Sequence, residues 1–287
     1  MKKDPIEGDK TALILIFTDL DGTLLDHTTY EWDKAKPALD LCKRLYIPVI
    51  LVSSKTKAEI NVLRQKMDIN FPFISENGGG IFFPKEWSEC VPPYTVFAEN
   101  TWKWPIGTPY DLLIRGLREI RDELGWHMRG FSEMTLEEIS YLTGLDLESS
   151  RLSAMREFDE PFIVKEQENM DMNSLYVAAE KKGLRITKGG RFYHLHGKND
   201  KGEAIKKIIS LYKKSYTDVF SVALGDSPND FCMFKQVDQP VLILSQQDFS
   251  GIEKEIPGLT ITRKGGPEGW NSAIMEILGE KLKGDII

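Results

Sequence analysis

Cysteine is scarce in this chain of 287 residues, which contains only Cys42, Cys90 and Cys232. Their odd number and wide spacing argue against a disulfide framework and against a cysteine-based metal site. Disulfides are rare where thiols are kept reduced, so this composition favours a cytoplasmic protein. Long apolar runs are also missing: none approaches the roughly 20 residues that a membrane-spanning helix needs, and we expect no membrane partner.

Positive charge is in deficit as well. The chain has 37 Lys and Arg residues against 44 Asp and Glu residues, which gives a formal net charge of −7. Nucleic-acid-binding proteins present a basic surface, so that class of partner is not expected. An anionic ligand would have to be held by a local metal ion and a few basic side chains. Residues 1–11 lack the apolar core of a signal peptide, and we interpret them as a flexible lead-in.

What is present is an alternation of apolar runs and helical patterns at the two ends of the chain. With 41% hydrophobic and 28% charged residues, the chain has a globular composition and enough length for two domains. Strands alternating with helices predict a parallel sheet covered on both faces, that is, a Rossmann-like, doubly wound α/β core. The predicted strands are 13–17, 48–52, 72–75, 218–224 and 241–244, and the predicted helices are 34–46, 56–67 (with Thr56 as N-cap) and 201–214.

The middle of the chain has a different pattern, rich in tryptophan and charge and interrupted by prolines. We expect it to form an inserted α+β cap of residues 85–190, with residues 1–84 and 191–287 forming the core. A cap of this kind can close over a site and exclude water. The predicted helices are 109–124, 135–142 and 146–157, and the predicted strands are 162–164, 184–187 and 192–195.

Asp19 and Asp21 directly follow the first predicted strand, and Gly22 comes next. Ligands of open α/β sheets bind at the carboxyl ends of the strands. Two carboxylates there repel each other unless a cation compensates their charge, and a hard cation such as Mg²⁺ is the usual solution. The two-residue step lets both carboxylates reach one face. The alternative is a solvated turn, since Asp and Gly are ordinary turn residues.

A second acidic loop follows the predicted strand 218–224. Asp226, Asn229 and Asp230 stand there in the string Gly-Asp-Ser-Pro-Asn-Asp. Because this strand also ends at the ligand-binding edge of the sheet, Asp226 and Asp230 join Asp19 in a predicted oxygen cage. Oxygen ligands are those that Mg²⁺ prefers. The alternative is an acidic turn that precedes a helix.

Two further segments offer groups that suit a phosphoryl group. Ser54 follows the second predicted strand and is favoured over Ser53, and the alternative is that both serines only cap the next helix. Lys201 begins a predicted helix, where an ammonium near a carboxylate nucleophile would neutralise charge and orient the phosphoryl group. Lys198 is the competing candidate, and a solvated lysine in a turn is the alternative to both.

These four segments, in this order, resemble the motifs of the haloacid dehalogenase (HAD) superfamily of phosphatases. The resemblance implies that Asp19 is the nucleophile and that Asp21 is the general acid and base. It further implies that the Asp19 carboxylate, the Asp21 carbonyl and Asp226 bind Mg²⁺, with Asn229 and Asp230 orienting ligands. The expected reaction passes through an aspartyl-phosphate, with Ser54 and Lys201 contacting the phosphoryl group.

Longer strings resemble the mannosyl-3-phosphoglycerate phosphatase family, whose cap is of the C2B type. These are residues 75–80, 129–135, 156–162, 189–194 and 266–271, the last resembling a late core loop. The implied substrate is an anionic phosphorylated sugar-glycerate, and the implied product is mannosylglycerate, a compatible solute. The alternatives are a glucosyl-3-phosphoglycerate or dual-specificity phosphatase and, more distantly, a sugar-phosphate phosphotransferase or mutase. We expect a monomer or a homodimer.

Within these strings, the resemblance and the residue chemistry together indicate the substrate contacts. A guanidinium suits the glycerate carboxylate, which makes Arg129 and Arg191 candidates. Alternatively, Arg191 is a surface residue, and Arg156 and Glu160 form only a helix-surface pair.

His194 and His196 alternate on a predicted strand, but no third metal ligand stands beside them. The predicted substrate-binding residues are Glu76, Asn77, Arg129, Glu157, Gly190 and Arg191.

Overall fold

The computed structural model describes residues 12–87, 91–165, 171–189, 191–247, 249 and 251–284. The chain divides into two compact units: the first comprises Met1–Ser53, Phe71–Phe73 and Lys201–Ile287, and the second comprises Ser54–Asn70 and Ile74–Asp200. The predicted boundaries between core and cap, at 84/85 and 190/191, stay a prediction. No helix in the described part of the chain combines the length and apolar character that a membrane span requires.

Strands and helices follow one another along the chain much as the alternation of apolar runs predicts. The strands are β1 (Ala12–Thr18), β2 (Val49–Val52), β3 (Phe73–Ser75), β4 (Gly80–Pro84), β5 (Val96–Ala98), β6 (Thr101–Pro105), β7 (Met128–Gly130), β8 (Asp159–Val164), β9 (Arg185–Gly189), β10 (Phe192–His196), β11 (Asp218–Gly225), β12 (Gln239–Leu244) and β13 (Thr260–Gly265). The α-helices are α1 (Lys36–Arg44), α2 (Lys57–Lys66), α3 (Tyr110–Leu124), α4 (Leu136–Thr143), α5 (Leu147–Ser153), α6 (Met172–Lys181), α7 (Lys201–Tyr212), α8 (Phe231–Phe234) and α9 (Gly266–Gly284).

The first unit is built on a parallel sheet with the strand order β13-β12-β11-β1-β2. Strand β1 pairs with β11 along its whole length, so that Thr18 lies beside Leu224 at the carboxyl ends of both strands. Both strands are apolar runs with mostly buried side chains, as expected for strands inside a parallel sheet. This register brings the two acidic loops of the sequence to one edge of the sheet.

The second unit contains a separate antiparallel sheet with the strand order β7-β8-β10-β9. Helices α3 and α6 pack with this sheet around a buried apolar cluster. One unit thus has a parallel sheet with helices, and the other has helices on its own antiparallel sheet. This architecture confirms the predicted fold class, an α/β core with an α+β cap. The buried cluster includes Leu113, Leu117, Ile120, Phe162, Leu175, Ala179, Tyr193 and Leu195.

Two predicted segments differ from the structure. The predicted helix 146–157 ends at Ser153, because the backbone N–H groups of Glu157 and Phe158 donate to the Glu76 carboxylate instead of to a preceding helical turn. The string 266–271, interpreted as a late loop, forms the first turns of α9. Its prolyl and glycyl residues are turn signals, but they are also tolerated at the start of a helix.

Candidate active site

Lys201 lies between two carboxylates at the start of α7. Its Nζ donates to Asp19 Oδ1 and to Asp230 Oδ1, at 2.7 Å in both cases. Only 1% of Lys201 is exposed, and Asp230 is fully buried. Burial alone lowers the pKa of the ammonium, but the two carboxylates raise it above its ordinary value. Lys198, the competing candidate, lies exposed on the surface.

Asp226 adds a third carboxylate to this group. One carboxylate oxygen each from Asp19, Asp226 and Asp230 lie within 4.8 Å of one another. Asp230 holds the loop together, because its Oδ2 accepts from the backbone N–H of Asp226 and that of Ser227, at 3.1 Å each. The Ser227 hydroxyl donates to the same oxygen at 3.0 Å. The carboxylates predicted from two distant segments are therefore brought together in the first unit.

Gly22 explains why the first acidic motif has glycine after its second aspartate. Its φ of +75° lies in the left-handed region, which side-chain-bearing residues rarely adopt. A Cβ at this position would lie 2.4 Å from Asp226 Oδ2. Thr23, the next residue, donates its hydroxyl to Asp226 Oδ1 at 3.4 Å. The Asp-Gly-Thr turn therefore leaves room for the third carboxylate and contacts it.

The electrostatics of the cluster favour a further cation. Burial raises the pKa of Asp19 to about 8, while the Lys201 ammonium acts in the opposite direction. Burial and the neighbouring Asp230 raise the pKa of Asp226 to about 6. Three carboxylates thus lie around one ammonium in a region shielded from water, and this burial makes their ionised forms less favourable. A set of oxygen donors with excess negative charge fits a hard divalent cation such as Mg²⁺.

Three other predicted site residues, Asp21, Asn229 and Ser54, differ in exposure and in hydrogen-bond partners. Asp21 is partly exposed and bridges to Leu25 in a short backbone pairing. Asn229 is exposed, and its side-chain oxygen shares the single proton of the Ser227 hydroxyl with Asp230 Oδ2. The backbone carbonyl of Ser54 accepts from Arg156, at 3.0 Å.

The helix that follows the two serines has its own cap. Thr56 accepts from the backbone N–H of Glu59 at 3.2 Å and is the N-cap of α2, as predicted. The alternative that Ser53 and Ser54 are only helix caps is therefore wrong. The choice between Ser53 and Ser54 as the phosphoryl ligand stays a prediction.

Glu76 is a buried carboxylate in the second unit, with 1% of the residue exposed. It accepts from the backbone N–H of Glu157 at 3.0 Å and from that of Phe158 at 2.8 Å. Burial raises its pKa to about 8. Both Glu76 and Asn77 have left-handed backbone conformations, with φ of 48° and 53°. The Glu-Asn-Gly string is thus a tight turn whose carboxylate holds the start of β8.

The remaining predicted substrate residues have partners within the second unit. Arg129 makes a two-pronged ion pair with Glu138, with both N–O distances at 2.8 Å. Glu157 pairs with Lys103 at 2.7 Å, and the exposed Arg191 donates to the Leu142 carbonyl. Gly190 lies outside the described residues. Their roles toward a substrate stay predictions.

A buried charge network beside β8 was not found by sequence reasoning. Arg156 donates to Asp159 at 3.3 Å, and Asp159 also contacts His194 Nδ1 at 2.8 Å. Glu160 instead accepts from the hydroxyls of Tyr110 and Ser132, at 2.5 and 2.6 Å. The interpretation of Arg156 and Glu160 as a helix-surface pair is therefore wrong. The spacing of Arg156 and Asp159, three residues apart, was the only local signal of this network.

Comparisons with known proteins agree with this architecture. A family model described as haloacid dehalogenase-like hydrolase matches residues 16–91. A haloacid dehalogenase-like hydrolase from Bacteroides thetaiotaomicron has a TM-score of 0.62 at 16% identity, covering 92% of this chain and 99% of that one. A sugar phosphatase of HAD subclass IIB has a TM-score of 0.60 at 14% identity, covering 92% and 98%. The family match places the chain in the class of haloacid dehalogenase-like hydrolases, and the shared fold agrees with it.

Sequence relatives narrow this class to one family. A glucosyl-3-phosphoglycerate/mannosyl-3-phosphoglycerate phosphatase from Methanococcoides burtonii is 41% identical over 271 residues, covering 93% of this chain and 97% of that protein. The mannosyl-3-phosphoglycerate phosphatase of Pyrococcus horikoshii is 35% identical, covering 80% and 90%. The chain belongs to the mannosyl-3-phosphoglycerate phosphatase family, which confirms the resemblance found in its sequence.

Proposed function

We propose that the protein is a Mg²⁺-dependent phosphatase that hydrolyses mannosyl-3-phosphoglycerate to mannosylglycerate and phosphate. The observation that carries this proposal is the buried Lys201 ammonium, 2.7 Å from both Asp19 and Asp230, in a group of three carboxylates. An ammonium and a hard cation beside a carboxylate nucleophile suit the attack of that carboxylate on a phosphate ester. The names of the relatives support the choice of substrate.

The proposed reaction uses two displacements at phosphorus. A carboxylate oxygen of Asp19 forms a bond to phosphorus while the bond from phosphorus to the glycerate oxygen breaks, and Asp21 gives its proton to that leaving oxygen. Asp21 then takes a proton from a water molecule, whose oxygen attacks the same phosphorus. The bond from phosphorus to Asp19 breaks, which releases phosphate and restores both side chains. The Lys201 ammonium offsets the phosphoryl charge during both steps.

The residues that would hold Mg²⁺ are the carboxylates of Asp19 and Asp226 and the backbone carbonyl of Asp21, with Asn229 and Asp230 orienting the ligands. A bound Mg²⁺ ion supplies positive charge that neutralises phosphoryl oxygens and aligns them for displacement. Because Gly22 has no side chain, Asp226 Oδ2 can approach the first acidic loop, and a cation beside it would counteract the burial that raises the pKa of Asp226.

Removal of divalent metal is expected to abolish phosphate release, and added Mg²⁺ is expected to restore it. Asp226→Asn keeps the shape of the side chain but removes one charge, so the Mg²⁺ concentration for half-maximal activity should rise at least about tenfold. Titration of chelator-treated enzyme with Mg²⁺ measures this. Asp218→Asn, an exposed change at the opposite end of β11, is the control and should titrate like the wild type. An Asp226→Asn enzyme with unchanged Mg²⁺ dependence would contradict the assignment.

The substrate is tested by phosphate release from synthetic mannosyl-3-phosphoglycerate and glucosyl-3-phosphoglycerate, with mannose phosphates as controls. We expect kcat/KM for a glycosyl-phosphoglycerate to exceed that for a simple phosphohexose by at least about 10²-fold, since the glycerate carboxylate adds a charged contact. Equal or faster turnover of phosphohexoses would contradict the proposal. Formation of a sugar bisphosphate without release of phosphate would indicate a phosphotransferase instead.

A second candidate function is glucosyl-3-phosphoglycerate hydrolysis, alone or together with the mannosyl activity. Relatives whose names include both substrates are 41% and 38% identical to this chain, whereas two named for the mannosyl substrate alone are 35% and 34% identical. The ratio of kcat/KM for mannosyl-3-phosphoglycerate to kcat/KM for glucosyl-3-phosphoglycerate decides between a mannosyl, a glucosyl and a dual activity.

We also propose that the enzyme acts in the cytoplasm, where its product would serve as a compatible solute. Cys42, which is buried, and Cys232 are free thiols, as is usual in a reducing compartment.

A further inference from the structure

A buried chain of hydrogen bonds connects α9 with the backbone of Asp19. The indole Nε1–H of Trp270 donates to Thr18 Oγ1 at 3.0 Å. The Thr18 hydroxyl in turn donates to the Asp19 carbonyl oxygen at 2.7 Å. Trp270 and Thr18 are both fully buried. All three residues belong to the first unit.

The direction of this chain is fixed by its chemistry. An indole N–H can only donate, so the Thr18 hydroxyl must accept from it. The single proton of that hydroxyl is then directed to the Asp19 carbonyl. On the other side of the residue, the Asp19 backbone N–H donates to the Leu224 carbonyl at 2.9 Å. Both peptide groups of Asp19 are therefore anchored, which fixes the point from which its carboxylate extends.

Trp270 is itself held by close contacts of the neighbouring residues. A Cβ on Gly269 would lie 2.0 Å from the Lys264 carbonyl oxygen, so only glycine allows the backbone to approach this closely. Asn271 Oδ1 accepts from the backbone N–H of Ala38 in the first turn of α1, at 3.0 Å. The string Gly-Trp-Asn thus connects the end of β13, the start of α9 and the start of α1 around the indole.

We propose that Thr18 and Trp270 are positioning residues that orient the Asp19 nucleophile through its backbone carbonyl. This inference rests on the proposed function, because it gives Asp19 the nucleophilic role. Neither residue contacts the carboxylate in these hydrogen bonds, so the effect is on the alignment of the attacking oxygen. A small misplacement of a nucleophile lowers the rate of the chemical step more than it weakens substrate binding.

The experiment measures kcat and KM of Thr18→Val, Thr18→Ser, Trp270→Phe and the Thr18→Val/Trp270→Phe double variant, with p-nitrophenyl phosphate and Mg²⁺. Thr18→Val and Trp270→Phe remove one hydrogen-bonding group each, and we expect kcat to fall at least about tenfold with KM within about twofold of the wild type. Thr18→Ser keeps the hydroxyl, so its kcat should lie within about threefold of the wild-type value. The double variant should be about as slow as the slower single variant, because both act through one chain.

Two further measurements separate positioning from a loss of packing. Leu278→Ala makes a cavity at another buried position of α9 and should lower the unfolding midpoint while leaving kcat unchanged. In the ¹⁵N-labelled protein, the indole N–H signal that Trp270→Phe removes should shift in Thr18→Val and return in Thr18→Ser. A merely structural role predicts that kcat falls in Leu278→Ala as much as in Trp270→Phe.

The outcomes distinguish this inference from the proposed function. If the wild type hydrolyses phosphate esters but Thr18→Val and Trp270→Phe keep kcat within about twofold, the positioning role is wrong and the phosphatase stands. Independent, multiplying losses in the double variant also overturn it, since they would mean two separate effects. If the wild type releases no phosphate from any ester, the proposed function fails and the positioning role fails with it.

Discussion

Asp19→Asn is expected to lower kcat by at least about 10³-fold while the protein remains folded. An amide oxygen is a poor nucleophile, and the substitution also removes the charge that would bind Mg²⁺. Lys201 keeps its second partner, Asp230, at 2.7 Å, so no buried charge loses all its partners. Steady-state phosphate release measures the loss, and circular dichroism with thermal unfolding tests the fold.

Asp40→Asn is the matched control for this change, because it replaces an exposed carboxylate on α1 of the same unit. It should have the kcat of the wild type. An acid quench of the reaction with ³²P-labelled substrate should trap label on the wild-type protein and none on Asp19→Asn. An Asp19→Asn enzyme with kcat within about tenfold of the wild type would contradict the nucleophile assignment.

Much of the first unit could be predicted because its elements are long and periodic. Strand β1 is an unbroken apolar run, and α7 has apolar residues at helical spacing. Strands β5 and β7 have only three residues each, which is too short to display a period. Helix α9 was missed because Gly266, Pro267 and Gly269 at its start are turn signals in a sequence.

The acidic site could be predicted because its geometry follows from topology. Parallel strands end at one edge of the sheet, so the loops after β1 and β11 had to be neighbours once those strands paired. The hydrogen bond from Trp270 to Thr18 spans 252 residues and has no local pattern at either end. The same holds for the Glu76 carboxylate, which bonds to backbone N–H groups 81 and 82 residues away. Contacts of this kind depend on the final packing and leave no periodic signal.

Lys201→Met is expected to reduce both stability and activity, in contrast to Asp19→Asn. Methionine has a similar volume but no charge, so two carboxylates would remain buried without their common ammonium. Breaking a buried ion pair by removing one partner costs about 3–5 kcal/mol. The loss of a charge directed at the phosphoryl group should also lower kcat by about 10²-fold or more. Chemical denaturation measures the free energy of unfolding, and phosphate release measures kcat.

Lys206→Met controls for the same change on the same helix, because the Lys206 side chain is 61% exposed. It should leave both the free energy of unfolding and kcat near the wild-type values. The double variant Lys201→Met/Asp230→Asn removes one of the uncompensated carboxylates and should recover part of the lost stability without recovering activity. The double variant is therefore judged on stability alone, because Asp230 is itself proposed to orient the Mg²⁺ ligands and its replacement should lower activity whatever the role of Lys201. A Lys201→Met protein with wild-type stability would instead mean that the carboxylates are already neutralised by protonation, and the charge arrangement proposed for the site would be wrong.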